Sequence, residues 1–187
     1  MAERFVPLIR GTALLATRAY LAKKHGPDAF DRAVLLLRPE HAAVWRAIPL
    51  AHEWYSHEAV LALDDAAAAL YGPDFYDEIG AFVAEYDLNF IHRFLLKFTN
   101  PLWILDKGAK LWSEYYNSGR WTIVRGGEQR SLTGTLYDFA IVSVRQCRMM
   151  AAFVRRAGQL TGASKIKVDH PQCRARGSPA CVFTAAW

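Results

Sequence analysis

The chain has few cysteines and no long apolar run, and these shortages exclude several classes of protein. Three of its 187 residues are cysteines, so they cannot all pair, and a disulfide framework is not expected. Arg, Asp or His interrupts every apolar stretch well before the roughly 18 residues that a membrane span needs. The N-terminus has Glu3 and Arg4 and no small-residue cleavage site. We therefore expect a reducing, cytoplasmic location and no membrane span.

The motifs of most enzymes and nucleic-acid readers are also missing. We find no Gly-x4-Gly-Lys-Ser/Thr phosphate loop, no serine elbow and no suggestive pair of carboxylates, because Asp64 and Asp65 fit the solvated face of an alanine-rich helix. The net charge of +5 is spread along the chain, and no helix has a clean basic face with base-reading residues. We predict a protein that is not an enzyme and does not bind nucleic acid.

Composition and length predict one domain, residues 1–187, with two parts of different pattern. Apolar residues make up 52% of the chain and charged residues 22%, which is typical of globular proteins. Residues 1–119 are mainly helical by pattern. The predicted helices end at Gly, Pro or Asn signals and cover residues 8–25, 28–38, 40–48, 56–70, 76–98 and 102–119.

The second part, residues 120–187, changes to strand periodicity. β-branched and aromatic residues lie on both sides of Gly126-Gly127 and predict a hairpin. A helix over 140–160 follows, with Val144, Cys147, Ala151 and Val154 on one apolar face. Two further strands complete the pattern. We therefore predict an α+β fold in which a helical N-terminal half precedes a hairpin-helix-hairpin unit whose antiparallel sheet is packed by helices.

Four potential metal ligands should converge in this second part. Strict alternation in "KIKVDH" places His170 on the core face with Val168, and alternation in "CVFTAAW" does the same for Cys181. Cys173 lies in the connection between these strands, and Cys147 lies on the inner face of the preceding helix. Each residue alone would be read as a core or loop residue. Together they form a Cys3His set, which is typical of closed structural zinc sites, with Arg148, Arg174 and Arg176 near enough in sequence to offset its negative charge.

The His-x2-Cys-x7-Cys ending, with a cysteine on the preceding helix, resembles the zinc-containing 4-vinyl reductase domain in the sensory domains of phenol-responsive bacterial activators. Those sensors use a glutamate where this chain has His170. The resemblance covers residues 101–187, and the first 100 residues resemble a family of myxobacterial paralogues that end in such a domain. It implies a hydrophobic cavity between sheet and helices, structural zinc held by Cys147, His170, Cys173 and Cys181, and a homodimer.

Two functions follow from this resemblance and stay open. The first is a sensor for a hydrophobic or aromatic small molecule that signals through a partner protein. Its candidate pocket residues are His92, Trp103, Trp112, Trp121 and Phe139, each of which could equally be a core residue. The second is a protein–protein interaction subunit, similar to those of trafficking complexes, with a vestigial cavity.

A haem site is another interpretation of the sequence. Tyr116-x-Ser118-x-Arg120 has the spacing by which haem nitric-oxide sensors hold the haem propionates, and His92 could be an axial ligand. The motif straddles a predicted helix end, where Asn-Ser-Gly has an ordinary capping role, so we do not expect haem. His52 and His57 are separated by five positions rather than the four that place two ligands on one helix face, and we interpret them as solvated surface histidines.

Overall fold

The structure, a computed structural model, describes residues 5–92, 112–127 and 130–187, and their side chains except those of 88–92. The α+β prediction is confirmed: a helical half precedes a four-stranded antiparallel sheet. Within the described residues, no helix combines the length and apolarity of a membrane span. In chain order the elements are β1 (Leu8–Arg10), α1 (Gly11–His25), α2 (Ala29–Val34), α3 (Pro39–Ala42), a 3-10 turn (Ala43–Trp45), β2 (Trp54–Ser56), α4 (His57–Tyr71), α5 (Phe75–His92), β3 (Arg120–Arg125), β4 (Ser131–Tyr137), α6 (Val144–Leu160), β5 (Lys167–Gln172), a 3-10 turn (Arg174–Arg176) and β6 (Cys181–Ala186).

Helix α1 begins at Gly11, three residues later than predicted. Residues 8–10 instead form β1, which pairs antiparallel with β2 in the register Ile9↔Tyr55. Gly11 permits this arrangement, because a Cβ there would lie 2.0 Å from the carbonyl oxygen of Leu50. The local period of the sequence could not reveal this pairing, since its partner strand lies more than forty residues away.

The helices α4 and α5 follow the predicted boundaries where the structure describes them. The Ser56 hydroxyl caps α4 by accepting a hydrogen bond from the backbone N–H of Ala59 at 3.3 Å. Leu63 and Ile79 are fully buried in the core that these helices share with α1 and α2. Asp64, predicted to be solvated, is also buried, because it lies on the same face of α4 as His57, two helical turns further on.

The four-stranded sheet has the order β3-β4-β6-β5, and every neighbouring pair is antiparallel. Side chains alternate between buried and partly exposed along β4 and β6, so one face of the sheet lies on the core. Cys181 and Phe183 are on that buried face, as predicted.

Helix α6 joins the sheet to the helical half. It packs closely on α5, where a Cβ at Gly80 would meet the carbonyl oxygen of Met149 at 2.2 Å. Arg156 of α6 also donates from Nε to Glu85 of α5 at 2.7 Å. The predicted inner face of α6 is wrong at Val144, which is exposed. Gln146 is buried instead. The face shifts because α6 contacts α4 and α5 as well as the sheet.

Candidate functional site

The four predicted metal ligands lie together. Their ligand atoms, from Cys147, His170, Cys173 and Cys181, are all within 4.8 Å of one another. The Sγ atoms of Cys147 and Cys181 are 3.5 Å apart, and those of Cys147 and Cys173 are 4.0 Å apart. All three cysteines are buried and none is in a disulfide. This Cys/His cluster has the donor set and compactness of a closed thiolate–imidazole metal site.

Burial shifts the pKa of two members of this cluster, Cys147 and His170. It raises the pKa of the Cys147 thiol, and the neighbouring Cys181 and Cys173 raise it further. Three thiolates packed this closely repel each other, whereas a bound dication would favour the deprotonated form. Burial, followed by the charge of Arg176, lowers the pKa of His170, which leaves the neutral imidazole that a metal requires.

The arginines that were expected to offset the negative charge of the cluster do not all lie beside it. Arg148 points away from it and pairs with Asp77 and Asp74 of the helical half. Arg174 stays at the cluster, where its backbone N–H donates to the Sγ of Cys181 at 3.4 Å. The guanidinium group of Arg174 donates to the carbonyl oxygen of Phe139.

A second cluster lies where the helical half meets the sheet, and we call it the junction. It consists of His57 at the start of α4, Trp112 and Tyr116, Phe139 after β4, and Gln146 in the first turn of α6. The His57 ring lies 5.4 Å from the Tyr116 ring and 5.7 Å from the Phe139 ring, between centroids. Trp112 stacks on Tyr116 at 4.1 Å and meets Phe139 edge-on at 5.1 Å. The junction therefore has aromatic walls.

Two buried polar side chains of the junction lack hydrogen-bond partners among the described residues. They are His57, through Nε2, and Gln146, through both atoms of its amide, and their side chains are only 1% and 2% exposed. Burial lowers the pKa of His57 to about 4, and a hydrogen-bonding interaction with the Gln146 amide opposes that shift, although its geometry is too poor for a full hydrogen bond. Buried polar atoms without partners are rare because each one costs about 1–3 kcal/mol. The neutral Nε2 of His57 therefore has no full hydrogen bond within the part of the chain that the structure describes.

The structure brings together three of the predicted pocket residues. Trp112 and Phe139 belong to the junction, and Trp121 touches Trp112 at 5.8 Å between ring centroids. The side chain of His92 and the whole of Trp103 lie outside the described residues. His57 and Gln146 were missed, and the interpretation of His57 as a surface histidine is wrong. The residues just before His57 pair in a strand with the chain start, and this long-range contact buries it.

The residues with haem-sensor spacing do not form one site. The Tyr116 ring is part of the junction, whereas the Ser118 hydroxyl accepts a hydrogen bond from the backbone N–H of Ala140 at 3.1 Å. Arg120 is exposed on β3 and lies over the Tyr137 ring. The turn at residues 117–119 separates these three side chains.

Comparison with known proteins places the fold. No family model matches the chain, and no curated protein matches it. Solved structures of H-NOX proteins do match: the Fe(II) form of a S. oneidensis H-NOX variant has a TM-score of 0.73 at 14% identity, covering 95% of each chain. The unliganded Fe(II) H-NOX protein from K. algicida has a TM-score of 0.67 at 13% identity, covering 95% of this chain and 96% of that one. The chain thus has the H-NOX fold.

This comparison corrects the family assignment. The resemblance to the 4-vinyl reductase domain and to the myxobacterial paralogues is wrong, because the structural neighbours are H-NOX domains. The spacing of the four potential metal ligands, which suggested that family, depends only on one helix and one strand-loop-strand unit. Such a local unit does not determine how the remaining residues are arranged.

The cofactor assignment, structural zinc with no haem expected, is corrected by the same finding. The matching structures are of haem proteins, including one described by its haem redox potential and porphyrin distortion. The residues with haem-sensor spacing form one motif at a helix end, so they do not decide whether haem binds elsewhere. His57 is buried by contacts between distant segments, which that motif does not reveal.

Proposed function

We propose that this chain is a sensor domain that binds a small ligand at the junction and passes the bound state to a partner protein, without catalysing a reaction. The observation that carries the proposal is the buried, neutral Nε2 of His57, which lies within aromatic walls and has no full hydrogen bond among the described residues. The H-NOX fold over 95% of the chain supports it. The S. oneidensis neighbours were solved with NO and with CO bound, which gives no support to an aromatic ligand or to a homodimer.

Haem is the group that this fold implies, and one feature of the described residues fits it. Haem iron is commonly held by a histidine, and His57 offers a neutral imidazole nitrogen that has no full hydrogen bond among the described residues. The walls of Tyr116 and Phe139 provide apolar surroundings. If bound, haem would supply an iron that takes a diatomic gas. His57 would hold that iron, and the Tyr116, Ser118 and Arg120 set would not hold its carboxylates.

Titration of the reduced full-length protein with haemin tests this proposal. We expect saturable binding of about one haemin per chain with a sharp Soret band, and a further band shift on exposure to CO after reduction. The variant His57→Phe keeps an aromatic ring and should lose the sharp band, whereas His52→Phe, at an exposed histidine, should keep it. Wild-type protein that takes up no haemin, or a His57→Phe spectrum equal to that of wild type, would contradict the assignment.

We also propose that the Cys/His cluster binds one metal ion per chain. The donor set and the 4.8 Å spread of its ligand atoms support this. Elemental analysis of freshly purified, reduced protein should find about one equivalent of a thiophilic metal, and Cys181→Ser should lower it. The exposed serine substitution Ser113→Ala is a matched control. Protein that carries no stoichiometric metal would refute this part.

The two parts of the chain are proposed to act as one domain. Helix α6 from residues 120–187 is held to α5 from residues 1–119 by the contact at Gly80 and by two ion pairs, Arg148 with Asp77 and Arg156 with Glu85. A single cooperative unfolding transition, seen equally by tryptophan fluorescence and far-UV circular dichroism, is the expected result.

A further inference from the structure

We propose that a partner protein docks on the outer edge of β3 by adding an extended, acidic segment to the sheet as a fifth strand. The outer edge is the side of β3 (Arg120–Arg125) that faces away from β4. This inference rests on the proposed sensor function for its partner, but its experiment needs no sensor ligand, so either proposal can fail without the other.

The outer edge of β3 presents backbone groups that can pair with a further strand. In the order β3-β4-β6-β5, β3 is an end strand. Gly126 donates its backbone N–H to the carbonyl oxygen of Ser131 at 2.9 Å, and the register of β3 with β4 has no shift. Because backbone groups alternate in direction along a strand, those of Trp121 and Ile123 point away from β4. No described strand pairs with them.

The two end strands of the sheet differ in their fitness for such pairing. Strand β5 begins with Lys167 and contains Pro171, and its register with β6 shifts after Asp169. Lysine, proline and irregular register are the features that stop another strand from adding to an edge. Strand β3 has none of them, and its Val124 side chain is 65% exposed. The regular edge is therefore the one at β3.

The charge of this part of the chain favours an acidic partner. Residues 120–187 include eleven Lys or Arg and three Asp or Glu residues, although the net charge of the whole chain is only +5. Three of these arginines are turned toward the helical half, where each pairs with a carboxylate: Arg145, Arg148 and Arg156. The others leave the sheet unit positively charged, and interfaces form between surfaces of opposite charge.

Arginines also lie at both ends of the outer edge. Arg120 is the first residue of β3 and Arg125 the last, and Arg130 follows just before β4. The acidic residues of this hairpin are Glu128, which lies outside the described residues, and Asp138. Asp138 pairs with Arg120 at 3.8 Å, but both side chains are exposed. Surface pairs of this kind contribute little, so a carboxylate of an incoming segment can replace Asp138.

The same arginines disfavour pairing between two copies of this chain. In an antiparallel pair, Arg120 of one copy would lie beside the turn that contains Arg130 of the other. In a parallel pair, Arg120 would lie beside Arg120. Like charges at opposing positions destabilise a pair of strands, whereas opposite charges stabilise it. We therefore assign the edge to a segment with acidic residues at its ends and β-branched residues between them.

The position of β3 suits a partner that responds to the junction. The backbone of Trp121 lies at the outer edge, whereas its ring meets the Trp112 ring of the junction with centroids 5.8 Å apart. An added strand would thus contact the backbone of a residue whose side chain touches the junction. The blunted edge at β5 has no such contact among the described residues.

Amide hydrogen exchange, measured by NMR on isotope-labelled full-length protein, tests the proposal with the peptide acetyl-Glu-Val-Thr-Val-Thr-Glu-amide. Its glutamates at both ends allow it to pair in either direction. At a peptide concentration about tenfold above Kd, exchange of the Trp121 and Ile123 amides should slow about tenfold. The amides of Thr122 and Val124 already face β4, so their exchange should not change.

Two control peptides separate strand pairing from simple charge attraction. Acetyl-Glu-Pro-Thr-Pro-Thr-Glu-amide keeps both glutamates, but proline removes backbone donors and fixes the chain out of register with a strand. It should protect neither amide. The peptide with lysine in place of both glutamates should bind about tenfold more weakly than the glutamate peptide, because like charges then meet at the edge.

Protein variants locate the interaction. Val124→Asp places a carboxylate in the middle of β3 and should weaken binding of the glutamate peptide about tenfold. Val142→Asp makes the same substitution at a valine that is 50% exposed and lies outside β3, and it should keep the wild-type affinity. Should Val124→Asp not fold, Arg120→Glu, at an exposed side chain, replaces it and is judged by the same result.

Four results would overturn the proposal. The Trp121 and Ile123 amides could exchange as slowly as those of Thr122 and Val124 without peptide, which would mean that the edge is already paired. The glutamate peptide could protect neither amide, or the proline peptide could protect both equally well, and the arginines would then serve only to keep other strands away. Finally, sedimentation could show a wild-type dimer that Val124→Asp converts to a monomer, which would assign the edge to a second copy.

Discussion

The buried imidazole of His57 should make the protein lose stability as the pH falls, by an amount that can be worked out. The unfolded chain takes up a proton on this residue near its ordinary pKa of 6.5, whereas burial lowers the folded-state pKa to about 4. Below pH 6.5 the unfolded state therefore binds more protons than the folded state, and the free energy of unfolding decreases. Because each pKa unit corresponds to about 1.4 kcal/mol, the loss should reach about 3 kcal/mol at pH 4.

Urea unfolding between pH 7 and pH 4 measures this loss in wild type and in His57→Phe. Other groups also titrate in this range, but they are shared by both proteins, so the difference between the two curves isolates His57. The exposed histidine variant His52→Phe should follow the wild-type curve. Parallel curves for wild type and His57→Phe would refute the argument, and so would a His57 pKa near 6.5 measured by NMR.

Further predictions concern helix packing, the buried carboxyl group of Asp87 and the cap of α6. Gly80→Ala should lower the free energy of unfolding by about 2 kcal/mol or more, because its Cβ would overlap a backbone carbonyl 2.2 Å away. Gly158→Ala should lower it less, because its Cβ meets only the flexible end of Ile166. Equal losses in urea unfolding would contradict this. Burial raises the pKa of Asp87 from 3.8 to about 7, so stability from this group is lost as the pH rises through that interval. Asp87→Asn should therefore gain roughly 4 kcal/mol on wild type between pH 4 and pH 8, and an unchanged difference would count against it. Ser143→Ala should cost about 1 kcal/mol in thermal unfolding by removing the cap of α6, and a loss of zero would show that the cap is dispensable.

The Cys/His cluster could be predicted from the sequence because its geometry is local. Alternation within β5 and β6 fixes which side of the sheet His170 and Cys181 occupy, and one helix face brings in Cys147. These periodicities act over a few residues, and the structure places all four ligand atoms together. The identity of the fold was not predictable in this way, because the same local unit is compatible with several arrangements of the first 119 residues.

The junction could not be predicted, because it depends on contacts between distant segments. His57 is buried by a strand pair that joins residues 8–10 to residues 54–56, and no period in the sequence reveals that pairing. Gln146 is polar and follows Arg145, so the local sequence gives no sign that its side chain is buried. Helix α6 packs on two layers at once, so its buried surface is wider than one apolar stripe.

The contacts of the chain start have a mechanical consequence. The Asn117 side chain binds this segment at two points. Its oxygen accepts from the backbone N–H of Leu8 at 2.7 Å, and its amide N–H donates to the carbonyl oxygen of Val6 at 2.9 Å. Between these two anchor points, the carbonyl oxygen of Pro7 accepts from the backbone N–H of His57 at 3.0 Å. Residues 6–8 are therefore bonded directly to the backbone of His57, the first residue of α4. A tether, surface or fused protein that pulled on residues 6–8 would therefore load the N-terminus of α4 through this hydrogen bond.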